Sequence, residues 1–114
     1  MPYQVYVIEL SKKVFTENRR FRETNPQFNG VLECLYVGMT SKTPAERLKQ
    51  HKLGTLSKRG HSLSSSIVKK YGNMLRPSLY NHLNLAPMSR AEALKTEERL
   101  ALELRRKGYA VWYN

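Results

Sequence analysis

The sequence predicts an α+β domain in which a small sheet is covered by helices on both faces. Three observations lead there. Two segments near the N-terminus, YQVYVIEL at 3–10 and VLECLYVG at 31–38, are rich in β-branched and aromatic residues and apolar on both faces, the pattern of strands buried from two sides. Two later segments open on Ser/Thr-x-x-Glu capping boxes, the mark of helix starts. At 114 residues the chain holds one modest core and is too short for two.

Between the strands lies SKKVFTENRRFRETNPQFNG, with Asn25-Pro26 and Asn29-Gly30 turn signals and five basic residues. It reads as a long hairpin connection with room for a short element of its own. The second strand is expected to end on Gly38. Thr43 as N-cap, Pro44 in the first turn and Glu46 three residues after the cap then start a helix that Gly54 stops. A basic loop over 55–63 follows, and a short helix from about Ser65 to Tyr71 ends at Gly72. PSLYNHL at 77–83 reads as a third strand, placed at an edge by its proline. Ser89 and Glu92 cap the last helix, Arg105, Arg106 and Lys107 suit its C-terminal dipole, and Gly108 closes it. The apolar tail YAVWYN is expected to dock on the domain. The whole is one domain, without repeats or interdomain linkers.

Charge narrows the partners. Twenty Lys and Arg against nine acidic residues leave a net charge of +11. Some basic proteins carry such charge only for solubility, but it usually marks an anionic partner, nucleic acid or an acidic membrane, and nucleic acid is the favoured reading. No run approaches the roughly 18 apolar residues of a membrane span, and MPYQVYVIEL carries neither a basic leader nor a cleavage site. No membrane partner is expected. The single Cys34, inside an apolar run, reads as a buried thiol that suits a reducing cytoplasm. Zinc held by cysteines is excluded, and three scattered histidines offer little for zinc held by imidazoles.

All nine acidic residues are glutamates, and aspartate is absent. Two-metal nucleases clamp their ions with several converging carboxylates. Scattered glutamates fit a one-ion design better.

On a helical wheel of about 100° per residue, Ala93, Leu94, Leu100, Ala101 and Leu104 fall within one apolar stripe of roughly 120°. Glu97 lies near its middle and Glu98 on its shoulder. A carboxylate facing a core is costly unless it is paired or holds a cation. Arg47 and His51 stand one turn apart and share a helix face. An arginine beside an imidazole suits a phosphate whose charge grows in a transition state. Tyr6 and Tyr36 sit near strand centres, where tyrosine usually packs, yet their hydroxyls are able to meet in a cleft and handle a water or a proton.

The order of these pieces resembles the GIY-YIG nuclease superfamily. Gln4-Val5-Tyr6 stands at the first tripeptide and Tyr36-Val37-Gly38 at the second; Arg47 and His51 follow in the next helix, then Glu97 and Asn114. Gln4 replaces the first glycine, the longer spacing between motifs makes 11–30 an insertion, and Asn114 is the last residue. The resemblance implies a small three-stranded antiparallel sheet flanked by helices, and phosphodiester hydrolysis with one Mg²⁺ or Mn²⁺ held by Glu97 (the wheel prefers it to Glu98). It further implies that Arg47 stabilises the pentacoordinate phosphate, that Tyr6 positions or activates water with help from Tyr36 and His51, and that Asn114 orients the site or ties the tail to it. His61, in the basic loop, is a weaker candidate.

The remaining cations are expected to track nucleic-acid phosphates: Lys12, Lys13, Arg19, Arg20 and Arg22 in the insertion, and Lys49, Lys52, Lys58 and Arg59 from the first helix onward. DNA is the expected polymer, and dimerisation is a natural route to cutting both strands. Two readings compete with an active endonuclease. One is a module of the same fold that grips nucleic acid without cutting; the other is a basic structural protein of a ribonucleoprotein particle.

Overall fold

The two segments richest in β-branched and aromatic residues form the centre of the sheet. The computed structural model describes residues 2–53 and 62–113. Within them β1 (Gln4–Leu10) pairs antiparallel with β2 (Cys34–Thr40), in register from Gln4 opposite Thr40 to Leu10 opposite Cys34. The expected hairpin is present. Its second strand starts later than residue 31 and runs through Gly38, which is paired opposite Tyr6 and does not end the strand. Val5, Tyr6, Val7 and Ile8 are all fully buried in succession. Neighbouring strand residues face opposite sides, so both faces of the sheet are covered.

The sheet has four strands, in the order β3-β1-β2-β4, and it is mixed. β3 (Gly72–Leu75) is antiparallel to β1, while β4 (Ala110–Tyr113) runs parallel to β2. The three-stranded antiparallel expectation is corrected at both edges. Residues 77–83 do not form the expected strand; they make two 3₁₀ turns, Pro77–Leu79 and Asn81–Leu83. Pro77 has no N–H to give a ladder but opens a turn without loss. The strand lies just upstream. The apolar tail docks as expected, and it does so by extending the sheet.

Two buried or half-buried asparagines complete the sheet where strands run out. Val5 donates its N–H to Asn84 Oδ1 at 3.0 Å, and Asn84 Nδ2 donates to Val5 O at 2.8 Å. On the other edge Val111 N–H donates to Asn25 Oδ1 at 2.7 Å, and Asn25 Nδ2 donates to Val111 O at 3.1 Å. Each amide presents one acceptor and one donor, which is what a neighbouring strand residue presents. Asn25 is completely buried, and its Nδ2 also donates to Phe21 O at 2.8 Å. A residue that reads as a surface turn signal therefore fastens the 11–30 connection to β4.

That connection carries α1 (Lys13–Glu17) and α2 (Arg19–Glu23), which drive Val14 and Phe21 into the core. Lys12 Nζ donates to Gly30 O at 2.9 Å and so joins the two ends of the segment. α3 spans Pro44–Leu53; the Thr43 hydroxyl accepts from Glu46 N at 3.2 Å and donates to Glu46 Oε1 at 3.0 Å. α4 spans Ser62–Tyr71 and begins earlier than Ser65, taking up the end of the expected basic loop. Gly54 and the rest of that loop lie outside the described residues. α5 (Arg90–Arg106) opens on the full Ser89/Glu92 capping box and gives way to Gly108 at φ +110°, a backbone conformation that glycine adopts without strain. α3 and α4 pack on each other and on β1; α5 packs on β1, β2 and β4. Among the described residues no helix is long and apolar enough to cross a membrane.

Candidate active site

Strand register brings the two tyrosines together. Tyr6 faces Gly38 and Ile8 faces Tyr36, so the two phenols are diagonal neighbours on one face of the sheet. Their ring centroids lie 6.1 Å apart. Gly38 makes the approach possible, because a Cβ there meets Tyr6 Oη at 2.6 Å, Tyr6 Cζ at 2.7 Å and Tyr36 Cε2 at 2.9 Å. The α3 helix lies over the same face. His51 Nε2 sits 3.1 Å from Tyr6 Oη, and the imidazole meets the Tyr36 ring edge-on with centroids 5.5 Å apart.

Arg47, one turn earlier on α3, is half-buried and close enough to Tyr6 to act on its ionisation. Its Nη1 reaches Gln50 Oε1 at 3.5 Å. Tyr6, Tyr36, Arg47 and His51, the four sequence candidates from the first two motifs and the following helix, are thus brought together.

Burial sets the protonation states. Burial first and the Tyr36 phenol next hold the Tyr6 hydroxyl well above the ordinary tyrosine range, with Arg47 pulling the other way. Tyr6 is a neutral hydroxyl at physiological pH. Burial, helped by the positive charge of Arg47, lowers His51 to about 4. The imidazole is neutral at pH 7, so Nε2 either accepts the Tyr6 proton or donates to Tyr6 Oη, according to its tautomer.

This has a consequence for stability. His51 takes up a proton near pH 6.5 in the unfolded chain and near 4 in the folded one, so its contribution to stability is constant above about pH 7, falls between these values and levels off below them. By pH 5 the loss is on the order of 2 kcal/mol. A His51→Gln variant is expected to show a flatter profile of urea midpoint against pH across that window. An unchanged slope in the variant rules out this origin for the acid sensitivity.

Glu97 is the buried carboxylate of α5. It is 1% exposed, whereas Glu98 is exposed, so the inward position that the wheel gives Glu97 is the observed one. Leu94, assigned to the same stripe, is instead 46% exposed, because the buried face narrows to Ala93, Glu97, Leu100, Ala101 and Leu104. Glu97 faces inward from a helix that packs on both tyrosine-bearing strands. Among the described residues no three His, Cys, Asp or Glu side chains converge as a metal cage. Asn114, Lys58, Arg59 and His61 lie outside the described residues.

The basic residues divide. Arg22 Nη1 donates to Phe15 O and Thr16 O at 3.0 and 2.9 Å, Arg19 pairs with Glu23 at 3.2 Å, and Lys52 Nζ donates to Gly72 O. Lys12, Arg22 and Lys52 thus bond backbone carbonyls and Arg19 joins an exposed pair one turn along α2, yet all four stay on the surface. Lys13, Arg20 and Lys49 stand exposed on the surface. Cys34 is the buried thiol expected, and burial raises it to about 11.

Sequence reasoning missed a groove of about 180 Å³ lined by Tyr3, Met39, Thr40, Ser41, Lys42 and Arg47. The available signal was the position of Lys42, in the loop that joins the second tripeptide to the Arg47 helix. A second depression, about 210 Å³, lies between the 3₁₀ turns and α5 and shares no residue with the tyrosine and histidine cluster. Comparison with protein-family models, curated proteins and solved structures gave no match.

Proposed function

We propose that the chain is a metal-dependent endonuclease that hydrolyses phosphodiester bonds in nucleic acid, with DNA the expected substrate. The observation that carries this reading is the Tyr6 Oη to His51 Nε2 contact at 3.1 Å with Arg47 beside it, in a chain of net charge +11. Arg47 keeps accessible surface, so it is the group that meets a phosphate first. Its planar guanidinium pairs two phosphoryl oxygens and offsets the charge that grows as the phosphorus becomes pentacoordinate. Tyr6 holds the attacking water through its hydroxyl and passes a proton to His51. Alone, an imidazole lowered to about 4 is a weak base. A phosphate on Arg47 neutralises the cation that helps to lower it, and this couples proton acceptance to substrate binding.

One inward carboxylate, with no cage of three His, Cys, Asp or Glu among the described residues, supports a reading with a single Mg²⁺ or Mn²⁺. Glu97 is the residue that would hold it, since a hard ion of this kind takes one or two carboxylates and completes its shell with water and phosphate oxygens. When bound, such an ion supplies positive charge at the phosphoryl oxygens and acidifies water.

A second reading has its own support. Tyr6, Tyr36, His51 and Glu97 retain at most 2% of their surface, as the polar interior of a non-cutting binding module does. Incubation of supercoiled plasmid with the protein separates the two. The nuclease nicks in Mg²⁺, stops in EDTA, and loses activity in Glu97→Gln while that variant still retards DNA in a gel. Retardation by the wild type without nicking in any divalent ion establishes the binding module instead.

A further inference from the structure

We infer that the groove beside Arg47 holds an unpaired nucleotide adjoining the scissile phosphate, its base against Tyr3 and its phosphate between Lys42 and Arg47. This rests on the nuclease reading and adds the class of substrate: nucleic acid with a single-stranded or frayed segment at the cut.

The groove lies where β1 begins and β2 ends. Its lining supplies two cations, hydroxyls from Thr40 and Ser41 and one aromatic ring, and contains no carboxylate. It is a preformed feature. Thr40 is buried, and its Oγ1 accepts from Lys42 N at 2.9 Å, which fixes the turn that presents Lys42. Tyr3 donates its backbone N–H to Met88 O at 2.8 Å, an isolated bridge that fixes its backbone at the start of the strand. Arg47 belongs to both the groove and the tyrosine and histidine cluster. A phosphate on its guanidinium is therefore reached from solvent through the groove.

The chemistry selects the ligand. Two cations without an acid take a phosphodiester, and a half-buried phenol beside them takes the face of a base. A base inside a duplex has both faces covered by its neighbours and cannot stack there. An unpaired one can.

The test is fluorescence anisotropy of a labelled oligothymidylate and of a blunt duplex of equal length, with the full chain in EDTA so that nothing is cut. Tyr3→Leu is expected to weaken binding of the single strand about tenfold, with the duplex nearly unchanged and Tyr3→Phe restoring the wild-type value. Lys42→Gln is expected to lower the slope of log affinity against log salt by about one. Circular dichroism checks that each variant is folded. Loss of single-strand affinity in Tyr3→Leu supports the groove even if the protein cuts nothing, which counts against the nuclease reading alone. Plasmid nicking that persists while Tyr3→Leu binds the single strand as wild type does overturns the groove and leaves the nuclease standing.

Discussion

Replacing Arg47 with methionine is expected to slow single-turnover cleavage about 10²–10³-fold while the protein stays folded. Methionine keeps much of the length and the apolar stem, so packing on α3 changes little. On the proposed reading, what is lost is the charge that meets the phosphate and stabilises it as it becomes pentacoordinate. Lysine is expected to recover little, since a point charge does not reproduce the paired donors of a guanidinium. A second readout needs no substrate. Arg47 is one of two causes that depress His51, so its removal moves the imidazole up from about 4. Burial is the larger cause, so the value stays below 6.5. NMR titration of the His51 ring checks this. An unmoved titration places Arg47 away from the imidazole in solution.

Gly38→Ala is expected to damage stability and activity together. Its methyl arrives 2.6 Å from Tyr6 Oη and 2.7 Å from Cζ, well inside contact. Tyr6 is a rigid ring, fully buried and engaged with His51, and cannot swing aside. Either the central strands separate or the phenol leaves the imidazole. The expected cost is about 1–3 kcal/mol in urea unfolding, with cleavage reduced more than tenfold. Combining it with Tyr6→Phe does not restore stability, because the Cζ contact at 2.7 Å remains after the hydroxyl is gone. Full stability in Gly38→Ala means that the tyrosines are not packed as described.

The sequence revealed most about what local chemistry controls. The central strands, the capped start of α5 and the inward carboxylate of Glu97 follow from residue type, hydrogen-bonding caps and helical period. Glu97 was legible because the period of a helix places a residue on a face whatever surrounds it. Elements chosen by tertiary partners were not. Gly72–Leu75 is a poor strand by composition and forms one because β1 offers an open edge. Residues 77–83 look like a better strand and are turned aside by Pro77 into 3₁₀ geometry. Asn25 has the composition of a turn, and its burial against β4 depends on a contact 86 residues away in sequence. The tyrosine and histidine contact needed strand register and helix placement at once. Motif order anticipated it; spacing alone did not.

Tyr6, Arg47 and His51 are proposed to handle one phosphate as a unit. A double-mutant cycle on single-turnover cleavage, with Tyr6→Phe, Arg47→Met and the two combined, addresses this most directly. Groups acting on the same step are strongly non-additive, so the double variant is expected to be about as slow as the slower single one. Losses that simply multiply, or a wild type that cuts no faster than Glu97→Gln, contradict the account.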